Sequence, residues 1–220
     1  MVWLIFILVM VASYIVQATL TSKISKYGRV ATNMTGAQIA KMMLDQNNIH
    51  DVSITCISGT LTDHYNPQTR TVNLSEDIYN GNNLAAAAIA AHECGHVIQH
   101  ATGYAPLKLR TAVVPIVSFA NKSVQWILLL GILILQITPV MLWLGIALFA
   151  ITTLFSFITL PIEINASQRA VEWLNSANIT DSTTTAYAHD ALRWAAYTYV
   201  IAALGSLATL LSYSRIARRN

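Results

Sequence analysis

The chain has 220 residues, of which 55% are hydrophobic and only 10% charged, with a net charge of +3. Soluble domains carry roughly 25% charged residues, so this chain has too little charge to coat a soluble globule of its size. Its basic residues are scattered or sit beside apolar runs, without the basic stripe and interleaved aromatics that would make nucleic acid a partner. Two cysteines, Cys56 and Cys94, make no disulfide framework.

The first element, Val2 to Leu20, is long enough to cross a hydrocarbon core, which takes roughly 20 helical residues. It lacks a basic leading segment and an Ala-x-Ala site, and reads as a permanent anchor. A polar region follows, over about residues 22–112. In it, Thr35-Gly36-Ala37-Gln38 ahead of Ile39, Met42 and Met43 predicts a capped amphipathic helix ending near Asn47 and Asn48. Val52 to Ile57 alternates as a strand does, Asp63 to Pro67 reads as a turn, and Thr69 to Leu74 as a second strand. Asn82-Asn83 caps an Ala-rich helix from Leu84 to about Thr102, stopped by Gly103. Val124 to Leu160 is almost continuously apolar and too long for one span. Gln136, Thr138 and Pro139 interrupt it, which predicts a hairpin of spans at about 118–136 and 140–160. Residues 161–193 return to a polar, helix-friendly composition, with a helix starting at Pro161. Ala195 to Tyr213 is softer, and either spans or packs on the polar region.

One run carries chemistry: His92-Glu93-Cys94-Gly95-His96. Histidines four apart on a helix project from one face and can share a metal. Zinc held there lowers the pKa of water, and Glu93, beside the first histidine, is placed to act as general base. A hydrolytic zinc site needs a third protein ligand. His100 is a poor choice, because four more residues carry it about 6 Å up the axis; it reads as a helix C-terminal histidine facing the last carbonyls. Glu163 is the better one, since a carboxylate directly after an apolar span requires a partner. Lys23, Lys26 and Arg29 read as a solvated or interfacial face.

The sequence resembles the YugP-type membrane zinc metallopeptidases, also called neutral zinc metallopeptidases. The likeness rests on Asp63 to Pro67 through Val72 to Ser75, on Ala91 to His96, on Gly103 to Leu107, on Leu160 to Ser167, and on Thr198-Tyr199-Val200. A more distant likeness is to HtpX-type and CAAX-prenyl endoproteases. It implies a mainly α membrane protein with three or four transmembrane helices and a small α+β, zincin-like (gluzincin) catalytic domain. It further implies one zinc per chain on His92, His96 and Glu163. In those relatives an Asp stands where this chain has Ser167, so Ser167 or Asn165 would orient a liganding histidine. The likeness also implies a substrate-binding edge strand at Val72, Asn73 and Leu74. For the oxyanion it points to Tyr199, with Arg193 and His189 as alternatives.

The expected organisation is an anchor at 1–21, a catalytic domain at 22–117, a transmembrane hairpin at 118–160, a third-ligand segment at 161–194 and an apolar helix with a basic tail at 195–220. A two-span hairpin returns Glu163 to the side of His92. Lys23, Lys26, Arg29, Lys108 and Arg110 flank the spans on that side, which predicts a multi-pass cell-membrane protein with a cytoplasmic catalytic domain. If residues 195–213 span, Arg215, Arg218 and Arg219 lie outside, against that rule. The function expected is hydrolysis of polypeptides at the bilayer. The competing readings are an inactive membrane scaffold, which the intact Glu93 opposes, and a transporter subunit, which would need ionisable residues inside its spans.

Overall fold

The computed structural model describes residues 2–218; Arg219 of the basic tail lies outside them. The elements in chain order are α1 (Val2–Tyr27), α2 (Gly36–Gln46), β1 (Ser53–Ile57), β2 (His64–Asn66), β3 (Thr71–Ser75), α3 (Glu76–Tyr79), α4 (Leu84–Ala101), α5 (Ala105–Leu133), α6 (Val140–Ser176) and α7 (Ser182–Arg218). The protein is mainly helical with one small sheet. It divides into two compact units, one of residues up to Ile15, Lys108–Pro161 and the chain from Thr198, the other of Val16–Leu107 and Ile162–Tyr197.

Four helices, α1, α5, α6 and α7, are long and apolar enough to cross a membrane. In the first unit α5 and α6 form a helical hairpin around a core of Val124, Leu128, Leu142 and Ile146. Their backbones approach closely because Gly131 stands against Leu142, where an added Cβ would lie 2.6 Å from its Cα; small residues allow such approach between apolar helices. The break between them falls at residues 134–139, as Gln136, Thr138 and Pro139 lead one to expect. The outer ends differ from expectation. The helix α5 extends beyond the span expected from about Ser118, beginning at Ala105 with Pro115 inside it. The separate helix expected from Pro161 is the second half of α6, which runs unbroken past that proline. A proline removes one helical hydrogen bond, and the neighbouring turns on either side carry the helix across the gap.

The second unit is built around α4. Asn83 caps it by accepting a hydrogen bond from the Ala86 amide. Gly103, at φ 63°, ends it in the left-handed conformation that glycine adopts without strain. The Thr35/Gln38 capping box starts α2. Its end is closed by Asn48 at φ 55°, where the Ile49 amide donates back to Leu44. The sheet has the order β1-β3-β2, with β1 parallel and β2 antiparallel to β3. Asp63 to Pro67, expected as a turn, therefore contains strand β2. The turn comes one step later, where the Asn66 side chain accepts from the Gln68 amide and Arg70 takes φ 51°. Ile39, Met43, Val72, Leu74 and Leu84 are fully or almost fully buried in one core with the alanines of α4, each large side chain contributing roughly 1.5–3 kcal/mol. Lys23, expected on a solvated or interfacial face, is paired with Asp190 at 2.6 Å, and Tyr27 donates to the same carboxylate at 2.6 Å. The shared acceptor joins the end of α1 to α7 within this unit.

Candidate metal centre

His92 and His96 sit one turn apart on α4, their rings edge to face with centroids 4.8 Å apart. Glu163 comes from α6, one turn before Ala166. Gly95 makes that meeting possible. A Cβ there would stand 2.7 Å from the Ala166 carbonyl oxygen and 3.0 Å from its Cα, so α4 and α6 touch backbone to backbone. All three side chains are largely buried.

Glu163 Oε2 lies 3.4 Å from His92 Nε2 and 3.5 Å from His96 Nε2. These distances are long for hydrogen bonds, which run to about 3.2 Å between nitrogen and oxygen. They match ligands of one ion: two donors each roughly 2.0–2.2 Å from a tetrahedral zinc stand about 3.4 Å apart. His92, His96 and Glu163 are the group of metal-ligating side chains found among the described residues, with ligand atoms within 4.8 Å of one another. The donor set of two imidazoles and a carboxylate suits zinc and leaves a fourth position open. Burial works against a charged His96, yet the carboxylates of Glu163 and Glu93 outweigh it and hold its pKa above the usual value; the same negative charge favours a dication.

The far nitrogens are held too. His92 Nδ1 is 3.1 Å from Ser167 Oγ, and His96 Nδ1 is 3.0 Å from Gln99 Oε1. The Asn165 Oδ1 accepts from Gln99 and from Arg169. Gln99 was missed in the sequence, although it lies three residues after His96, where side chains on a helix are neighbours. Glu93, next to His92 on α4, is buried. Cys94 lies outside the metal-ligating group, its thiol donating to the Ala40 carbonyl at 3.6 Å; burial pushes its pKa far up.

His100 does not face the last carbonyls of α4. Its Nδ1 pairs with the Tyr65 hydroxyl at 3.0 Å, which ties β2 to the helix. The edge strand expected at Val72, Asn73 and Leu74 is an interior one: β3 is bordered by β1 along its length and by β2 from Thr71 to Asn73. Beyond that the Ser75 amide donates to Asp63. Val72 and Leu74 are wholly buried, because the parallel β1–β3 pairing puts β3 in the middle where a hairpin would have left it at the rim. Tyr199 lies on α7 in the other unit, 40% exposed; Arg193 is paired with Asp190.

Residues 2–218 match a family model described as "Putative neutral zinc metallopeptidase". The chain is similar to the "Putative membrane protease YugP" of Bacillus subtilis (strain 168), with 39% identity over 206 residues that cover 93% of this chain and 91% of the relative. No solved structure matches. A family model matched over nearly the whole chain, together with a relative this similar along its length, shows that the chain belongs to the neutral zinc metallopeptidase family.

Proposed function

We propose that the protein is a membrane-embedded zinc endopeptidase with a gluzincin-like catalytic domain. The observation that carries this is the triad His92, His96 and Glu163, two imidazole nitrogens 3.4 and 3.5 Å from one carboxylate oxygen. When bound there, zinc supplies the Lewis acidity that makes water nucleophilic near neutral pH and polarises a peptide carbonyl. Glu93 takes the proton of the attacking water and delivers it to the leaving amine nitrogen. Ser167 holds His92 with its Nε2 toward Glu163. Tyr199 keeps the oxyanion role in this reading on its family-like segment alone.

Polypeptide substrates follow from the family. An extended chain can add to an open sheet edge, and β2, tied to α4 through Tyr65 and His100, is an outer strand of the sheet. α6 is 37 residues long, about 55 Å at 1.5 Å per residue, against a hydrocarbon core of roughly 30 Å. Its apolar half, up to Leu160, accounts for a span, and the half bearing Glu163 projects beyond it. This supports the division into anchor 1–21, catalytic region 22–117, hairpin 118–160, ligand segment 161–194 and C-terminal helix 195–220. The loop at 134–139 holds no basic residue, whereas Lys23, Lys26, Arg29, Lys108 and Arg110 border the opposite ends, which supports a cytoplasmic catalytic side.

The test is Glu93→Gln in the purified full-length protein. The variant is expected to retain one zinc per chain and to lose cleavage of an unstructured polypeptide by at least a factor of about 100, the scale of general-base catalysis. Undiminished cleavage with stoichiometric zinc would refute the mechanism.

A further inference from the structure

The two histidines are held in different ways. Ser167, behind His92, is a hydroxyl, which can donate or accept and so leaves the tautomer of His92 open. Gln99, behind His96, is fully buried and has no such freedom. Its amide nitrogen donates to the Ile162 carbonyl at 2.8 Å and to Asn165 Oδ1 at 3.0 Å. A backbone carbonyl can only accept, which fixes the nitrogen end of Gln99 on that side. The Asn165 amide is fixed in turn by Arg169, whose Nε donates to Oδ1 at 2.8 Å; a guanidinium has donors only, so the oxygen of Asn165 must face it. With its nitrogen so occupied, Gln99 presents its oxygen to His96 Nδ1 at 3.0 Å. That oxygen accepts a proton, so His96 carries hydrogen on Nδ1 and turns the lone pair of Nε2 toward Glu163.

We propose that Gln99 is the positioning residue of the metal centre, and that Arg169, acting through Asn165, locks the direction in which Gln99 holds His96. The chain of hydrogen bonds links a permanent cation to a candidate ligand through four side chains, and of these only His96 belongs to the metal-ligating group. His96 is thereby a ligand ready-made in the right tautomer, and His92 one that adjusts. The inference rests on the zinc reading above.

The experiment is a double-mutant cycle on the full-length protein in detergent, read by competition for zinc with a chromophoric chelator and by the d–d absorption of cobalt in the site. Gln99→Met keeps the length of the side chain and removes both its hydrogen-bonding ends. It is expected to weaken zinc about 10- to 100-fold, the usual effect of losing a partner behind a metal ligand, and to shift the cobalt bands. Arg169→Met is expected to weaken zinc by a smaller factor. The combined variant should bind within about twofold of Gln99→Met alone, because residues of one network are not additive. A structural role for Arg169 elsewhere would multiply the two losses, and that result overturns the proposal. So does wild-type affinity with unshifted bands in Gln99→Met. Circular dichroism with chelator present checks the fold; should Gln99→Met not fold, Asn165→Ala replaces it and must likewise abolish the effect of Arg169→Met. A wild-type protein that takes up no zinc sinks the metal-centre reading itself, an outcome distinct from variants that bind as tightly as wild type.

Discussion

Gly95→Ala isolates the role of helix approach in building the centre. Ordinary contact begins near 3.4 Å, and the added Cβ would meet the Ala166 oxygen at 2.7 Å, so α6 must withdraw locally by about 0.7 Å. Neither partner is a side-chain tip that can swing aside; both are helix backbone. Overpacking of this kind costs roughly 1–3 kcal/mol. Metal–ligand distances tolerate only about 0.2 Å, and Glu163 stands one turn from the point of collision, so much of the strain falls on the bound state. Zinc affinity is expected to drop by roughly 5- to 100-fold, at tenfold per 1.4 kcal/mol. Chelator competition measures it, and melting with chelator present separates the part borne by the fold. Zinc affinity within about twofold of wild type would show that Glu163 does not depend on this helix contact, and the account of how the triad is assembled would be wrong.

Glu163→Ala is expected to lower zinc content after dialysis against a moderate chelator far more than His100→Ala, whose ring is engaged with Tyr65; the reverse order would remove Glu163 from the ligand set. With Cys56 and Cys94 replaced by Ala, single cysteines at Gln68 and Ser176 should be shielded from an impermeant thiol reagent in intact cells and one at Gln136 labelled. All three sites are exposed. Labelling of Gln68 and Ser176 from opposite faces would break the hairpin topology. At the start of α7 the Asp181 carboxylate accepts from the Thr184 amide at 2.7 Å, and that backbone hydrogen bond holds its pKa below the ordinary value. The stabilisation is complete above the unfolded pKa and is lost as pH falls through the folded one. Melting temperatures of wild type and Asp181→Ala should therefore differ at neutral pH and draw together in strong acid; a constant gap would assign the stability to something other than the charge.

Local signals carried the reading of the fold where they were self-sufficient. The Thr35/Gln38 box, the Asn83 cap and Gly103 each state their own hydrogen bonds or backbone conformation, and α2 and α4 end where these residues stand. Proline misled at Pro161, where the chain before and after is strongly helical, so one missing amide was absorbed and α6 continued. Strand order was illegible, since alternation in Val52–Ile57 and Thr69–Leu74 says that strands exist and not which lies between the others. The three-residue β2 is too short to alternate, and its discovery moved β3 to the interior. At the candidate site, spacing singled out His92 and His96 and an acid after an apolar run singled out Glu163, three side chains that the structure brings together. Gln99 stands three residues after His96, yet what fixes its orientation is the Ile162 carbonyl 63 residues away, and Arg169 acts only through two amides, so neither gave a comparable signal.

Thirteen of the 18 residues of α4 are buried, so this helix has no outward face in the usual sense. Its alanines make it thin enough to be enclosed, and the surrounding elements have closed to that width. In a scan of all single substitutions, the familiar rhythm of tolerant and intolerant positions should vanish between Leu84 and Gln99, giving one nearly continuous block that rejects larger side chains. Drift in this segment would require a paired shrinkage of a neighbour on α2, α3 or β3, and the narrow helix should outlast almost every other trait of the sequence in distant relatives.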